Sequence, residues 1–235
     1  MSDKPLGRRA PTDWTHVERH PFAAPAPPAK VERTLAMPRW AHGFYDQGAE
    51  GACVGFGSSQ MMSILNHHRY DARWLWNHAK MIDEWPDTNP GDDNGTSVRA
   101  AMDVLRTQGH VRILHGRDQP VSPLEGIASN SWATSVDDVR AAISRGVPVA
   151  IGVNWYTAFD DPALWGGDWY VARVGSLGSI RGGHCVCVLG ASDRRQAVSF
   201  TNSWGADYPR KVFLPYPILA RLLHEDGEAS VVVDR

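Results

Sequence analysis

From Cys53 to about His68 the apolar residues Val54, Met61, Met62 and Leu65 recur at helical spacing, with Gly55, Gly57, Ser58 and Ser59 small enough for close packing. This predicts a buried helix with Cys53 at its N-terminus. A second helical pattern covers roughly Arg73 to Glu84 and runs into "PDTNPGDDNGTS", a loop dense in turn residues. Thr96 or Ser97 can cap the next helix, in which Val98, Ala101, Met102 and Leu105 form an apolar stripe and Gly109 stands where a C-cap glycine belongs. "SVDDVRAAISRG", from Ser135 to Gly146, predicts one more short helix with Asp137 and Asp138 in its first turn. Beyond it the texture changes: "VPVAIGVNW", "GGHCVCVLGAS", "AVSFTNSW" and "ASVVVDR" are short β-branched or alternating runs bounded by turns, the pattern of an antiparallel sheet. A helical lobe followed by a strand lobe is an α+β arrangement, and the cleft between lobes is where a substrate site belongs. The expected division is an arm over residues 1–38, a helical lobe over 39–134 and a β-rich lobe over 135–235.

The arm changes this picture little. It is rich in proline, alanine and charge, and "FAAPAPPAK" favours extended backbone with few apolar anchors. The whole chain of 235 residues is 43% hydrophobic, enough to fill a proper core. Its formal net charge of −2 and scattered basic residues give no footprint for nucleic acid or an anionic membrane. There is no apolar run of about 18 residues and no signal-peptide core, so a cytoplasmic protein, or a component of a viral particle, is expected. Three cysteines, two of them at Cys185 and Cys187, cannot build a disulfide framework.

Candidate chemistry centres on Cys53. A thiol nucleophile needs a depressed pKa, a base and donors for a developing oxyanion. A helix N-terminus would stabilise its thiolate, and the amide of Gln47, across the Gly48–Gly51 turn, together with the Cys53 N–H would hold the oxyanion. His184, at the head of a strand-like run and preceded by two glycines, is the candidate base. Asn202, at the end of the next such run, can reach the imidazole through antiparallel pairing and orient it without bearing charge, with Trp204 roofing that bond. No metal or organic cofactor is needed. Cys185 and Cys187 alternate with His184 along a strand, so their sulfurs face away from it and read as core rather than as metal ligands. The carboxylates of "GDDNG" read as turn formers, because the regular oxygen spacing of a calcium loop is missing. Trp74 and Trp76 read as core rings.

These residues carry a resemblance to the papain family of cysteine peptidases. "DQGAEGACVGF" resembles the family's glutamine-to-cysteine block, "GGHCVCVLG" its histidine block and "TNSWG" its asparagine and tryptophan block, in that order. "DNGTSVRAAMDVLRTQGH" is similar to the segment whose asparagine-glycine turn lines the cleft, and the likeness extends from about residue 38 to about 218. It implies a papain-like two-lobed fold and hydrolysis of a peptide or isopeptide bond through a thioester acyl-enzyme. It also implies Cys53 as nucleophile, His184 as ion-pair partner and general acid, Asn202 as orienter and Gln47 as oxyanion donor. Asn94, Gly95 and Gly183 would line the cleft on a polypeptide substrate. Val54 and Glu50 stand where secreted members often carry tryptophan and cysteine, which points to a bacterial or viral type of member without disulfides. The segment before Cys53 is too proline-rich for the family's helical inhibitory prosegment, so latency by that route is not expected.

Two other readings stay open at this level. One is a papain-fold structural subunit of a larger assembly, its arm docked on a protein partner. The other is a thiol amidase acting on peptidoglycan cross-links.

Overall fold

The computed structural model describes residues 4–23, 25–38, 45–85, 94–114, 117–172 and 176–234. In chain order the helices are α1 (Thr15–Arg19), α2 (Cys53–Asn66), α3 (Ala72–Lys80), α4 (Val98–Thr107), α5 (Val136–Ser144) and α6 (Tyr216–His224). The strands are β1 (Glu32–Thr34), β2 (Arg69–Tyr70), β3 (His110–Leu114), β4 (Arg117–Glu125), β5 (Ile127–Trp132), β6 (Val149–Tyr156), β7 (Ala163–Trp165), β8 (Asp168–Tyr170), β9 (Ile180–Ser192), β10 (Ala197–Thr201), β11 (Val212–Pro215) and β12 (Glu228–Asp234).

Helix α2 is the axis of the molecule. Every residue from Cys53 to Ile64 is buried, so it has no solvent face. It packs between α3 and β9, and a side chain on Gly57 would press to 2.8 Å from the Cys185 sulfur. The following helices begin where their caps dictate. Asp71 accepts from the N–H groups of Arg73 and Trp74, Ser97 from that of Ala100, and Ser135 forms a reciprocal capping box with Asp138. Gly109, past the end of α4, has a φ of 92°, in the left-handed region that glycine enters freely.

Among the described residues the main sheet runs β5-β12-β6-β9-β10-β11-β8-β7, antiparallel except for the β11–β8 pair. Strand β9 is its spine. Residues up to Val188 pair with β6, and the arm's β1 continues that side by pairing with Gly190 to Ser192. A second sheet, β2-β3-β4, lies with the helices.

The α+β architecture is the one the sequence pattern predicts. Two features of the lobes differ from it, and the arm, expected to be extended, carries the short helix α1. The first half is not purely helical, since it carries β2 to β4, and its last strand, β5, joins the main sheet through β12. Helix α6 also has no counterpart in the sequence reading. The loop residues 86–93, including the carboxylates of "GDDNG", lie outside the described residues. No described helix is long and apolar enough to cross a membrane.

Candidate active site

The turn before α2 is fixed at both ends. Asp46 Oδ1 accepts from Gly48 N at 2.8 Å, and Gln47 N donates to the Ser203 carbonyl at 2.9 Å, which ties this turn to the segment after β10. The buried Gln47 side chain is clamped as well. Its Oε1 accepts from Ser203 Oγ at 2.6 Å and its Nε2 donates to the Glu50 carbonyl at 2.7 Å. An amide nitrogen carries two hydrogens, so this contact commits one of them.

His184 comes from β9, where it lies opposite Val153 of β6. Its Nε2 is 2.8 Å from Asn202 Oδ1, which also accepts from Ser203 N at 2.7 Å. An amide oxygen can only accept, so Nε2 carries the proton and Nδ1 is the basic nitrogen of the neutral ring. Nδ1 is buried with no hydrogen-bond partner. The ring is held by Trp204 at 4.8 Å and by the edge of Trp155 at 4.6 Å. The backbone of Cys185, the residue after His184, approaches the Cys53 sulfur, so β9 delivers the histidine beside the start of α2.

The electrostatics oppose an ion pair. Burial pushes the Cys53 thiol up to about 12, against the backbone N–H of Cys185, the Arg8 charge and the backbone N–H groups of Val54 and Arg8, which pull it down. Burial likewise pushes His184 down to about 4, aided by Arg181 and opposed by the Asn202 bond. Near neutral pH the two groups are therefore an uncharged thiol and an uncharged imidazole.

The chain's own arm lies over this site. Its residues 4–9 run along the cleft in extended form. Gly7 N and Arg8 N donate to the Gly183 carbonyl at 3.1 and 3.0 Å, Arg9 N donates to the Thr96 carbonyl at 2.9 Å, and Thr96 N donates to the Gly7 carbonyl at 2.9 Å. The pairing of Arg8 with Thr96 is parallel. A side chain on Gly95 would collide with the Gly7 carbonyl, and one on Gly183 with the Arg8 carbonyl. Trp204 Nε1 donates to the Pro5 carbonyl at 3.0 Å, and Lys4 Nζ sits 5.2 Å from the Trp204 ring centre.

The structure thus brings Cys53, Gln47, His184, Asn202 and Trp204 together, and places Gly95 and Gly183 against the arm that fills the cleft. Asn94 stands beside them with its carbonyl accepting from Trp76 Nε1 at 3.0 Å. Three contributors escaped sequence reasoning: Trp155, Thr96 and the Arg8–Glu228 pair. Trp155 sits in a strand-like run that signals only core, and Arg8 and Glu228 are separated by almost the whole chain. Cys185 and Cys187 are buried free thiols, and no cluster of three His, Cys, Asp or Glu side chains fit to hold a metal occurs among the described residues.

This is the fold of papain-like cysteine proteases. The solved structures it matches include xylellain, a cysteine protease from Xylella fastidiosa, with a TM-score of 0.75 and 16% identity over 98% of this chain and 96% of that one. They also include proCathepsin B S9 from Trypanosoma congolense, with a TM-score of 0.63 and 13% identity over 100% of this chain and 84% of that one. Digestive procathepsin L2 proteinase from Tenebrio molitor larval midgut matches with a TM-score of 0.60 and 15% identity over 98% and 78% of the respective chains. No family model matches the sequence, and no curated protein matches it.

Proposed function

We propose that the chain is a cysteine peptidase that hydrolyses peptide or isopeptide bonds through a thioester acyl-enzyme, and that its cleft is masked by its own arm in the state described. The observation that carries this reading is the convergence of a helix-terminal Cys53 with a His184 ring whose Nε2 is bound to Asn202 at 2.8 Å. That bond leaves Nδ1 as the base. With the arm displaced and water admitted, the desolvation that holds both groups neutral is lifted. Proton transfer from Cys53 to Nδ1 then gives the thiolate and imidazolium. The thiolate attacks the carbonyl, while the Cys53 N–H and the second amide hydrogen of Gln47 hold the oxyanion. The imidazolium protonates the leaving amine, and a water deprotonated by neutral His184 releases the acid. Trp155 and Trp204 keep the His184–Asn202 bond dry, so that the ring turns neither its tautomer nor its plane.

The test is covalent labelling with an epoxide-type thiol trap, followed by mapping of the adduct in an Arg8→Ala protein, whose arm is loosened. An adduct confined to Cys53 and lost in His184→Ala, with cleavage of denatured casein lost in Cys53→Ala, is the expected result. Equal labelling of Cys53, Cys185 and Cys187 would sink the reading.

A further inference from the structure

Cys185 follows His184 in β9, and the alternation of a strand turns its side chain to the opposite face, toward helix α2. Cys53 and Gly57 lie one turn apart on that helix and so share a face. Cys185 meets both. Its backbone N–H is bonded to the Cys53 sulfur. A Cβ on Gly57 would come within 2.8 Å of the Cys185 sulfur, so it is a glycine that leaves this sulfur its place against the helix. Beyond burial itself, a Cys53 thiolate is the charge that pushes the Cys185 thiol up most. Both residues are buried free thiols.

We propose that Cys185 is the redox partner of Cys53: when hydrogen peroxide oxidises Cys53, Cys185 closes a reversible disulfide on it, which silences the site and shields Cys53 from further oxidation. The inference rests on the peptidase reading above only in requiring a reactive Cys53.

With the arm displaced, the Cys53 thiol passes its proton to His184 and the thiolate attacks one oxygen of the peroxide. The O–O bond breaks, a sulfenic acid forms on Cys53, and the departing hydroxide takes the proton back from His184 and leaves as water. The Cys185 sulfur then attacks the sulfenic sulfur. The S–O bond breaks, an S–S bond forms, and the second hydroxide carries off the Cys185 proton as water. Two electrons have passed from the two thiols to the peroxide, and a dithiol reductant returns them.

Three physical reasons single out Cys185. A disulfide joins Cα atoms roughly 4–7 Å apart, the separation of residues whose side chain and backbone already touch. Two of its flanking positions, Gly57 on α2 and Gly152 across the strand pair, carry no side chains, which leaves the Cys185 sulfur room to change rotamer. Cys187 does not compete. It stands two residues farther along the strand, about 7 Å. Its thiol is raised by burial alone, with no contribution from Cys53, and it donates to the Val188 carbonyl at 3.7 Å.

The test treats the full-length Arg8→Ala protein, whose arm is loosened, with excess hydrogen peroxide and maps its cysteine peptides by mass spectrometry before and after dithiothreitol. The expected product is a Cys53–Cys185 cross-link, two hydrogens lighter than the reduced pair, which dithiothreitol opens and which forms equally in Arg8→Ala/Cys187→Ala. In Arg8→Ala/Cys185→Ala and Arg8→Ala/Cys185→Ser, dimedone traps Cys53 as the sulfenic acid. Sulfinic acid at Cys53, which dithiothreitol does not reverse, rises there by about tenfold. A cross-link to Cys187, or as much sulfinic acid with Cys185 present as without it, overturns the proposal. The cross-link itself is read with Cys185 in place, so it decides the matter even where a substitution at 185 does not fold.

Because this readout needs no substrate, it separates the proposal from the peptidase reading. A reversible Cys53–Cys185 disulfide in a protein that cleaves no denatured casein would uphold the redox pairing and reject the peptidase. Casein cleavage that peroxide abolishes and dithiothreitol does not restore would keep the peptidase and reject the pairing.

Discussion

Two stretches of the same arm are fastened to the molecule by different physics. Residues 31–35 carry β1, which pairs with the end of β9, and flank it with Val31 and Leu35, both buried in the main core. Leu35 N donates to the Leu189 carbonyl at 2.7 Å, Val31 N donates to the Asp193 carboxylate at 2.6 Å, and Asp193 N donates to the Val31 carbonyl at 2.9 Å. Residues 4–9 pack one apolar side chain, Leu6, partly buried against the main core. They are held by main-chain bonds to Thr96 and Gly183, by the Arg8–Glu228 and Lys4–Asp161 pairs, and by bonds between Lys4 and Asp160, Arg181 and the Lys4 carbonyl, and Trp204 and the Pro5 carbonyl. Buried apolar area is lost only by exposing it to water, so the first stretch is a fixture. Hydrogen bonds and ion pairs can be handed over to water or to another peptide, so the second stretch is a removable occupant.

The sharpest way to break this contrast is Arg8→Ala. Lifting the desolvation that raises Cys53 to about 12 returns it toward an ordinary thiol of about 8.5, and so increases its alkylation rate by iodoacetamide at pH 7.5 by up to about a thousandfold. Cys187, whose thiol is raised by burial alone, stays slow. An unchanged Cys53 rate would mean that residues 4–9 are a fixture too.

Leu35→Ala probes the other stretch. Removing a buried leucine costs about 2–4 kcal/mol, which lowers Tm by roughly 5–15 °C in a chain of this size. The alkylation rate of Cys53 at 25 °C stays as in the parent. A rise in that rate would show that the two stretches open together.

The smallest effect is one of pH. His184 is at about 4 under the arm and returns toward the ordinary 6.5 once exposed, so the open form binds more protons between these values. The covered form is therefore fully favoured above about pH 6.5, and opening rises by up to tenfold per unit as pH falls toward 4. Cys53 acts in the opposite direction: its raised value favours the covered form below about 8.5, and that preference is lost as pH rises toward 12. Hydrogen exchange at the Arg9 and Thr96 amides, corrected for intrinsic rates, is expected to be slowest between about pH 6.5 and 8.5. A flat profile would show that neither group senses the arm.

The site and the core elements were legible because they obey local rules. Val54, Met61 and Met62 mark α2, Ser97 and Ser135 cap their helices, and the strands around His184 and Asn202 are bounded by turns. Strand β3 was not legible, since its Arg112 and half-exposed Ile113 give no alternation, and it is held instead by pairing with β2 and β4 and by the Arg112–Glu125 ion pair. The fate of residues 4–9 was hidden for a related reason. Their composition correctly argues against a helix, but extended backbone needs no apolar period to lie in a cleft. The one side chain that matters pairs with a residue 220 positions away.

The parallel bridge between Arg8 and Thr96 belongs to a chain that is fastened again at His20 and Phe22, through Trp132. A short tether of this kind sets the occupant's local concentration at roughly the millimolar level. A free peptide of equal intrinsic affinity, supplied at a micromolar level, would then hold the cleft only about one part in a thousand of the time. A single cut in the backbone between Arg9 and His20 alters none of the contacts in the cleft, yet turns a blockade that no dilution can relieve into one that dilution removes.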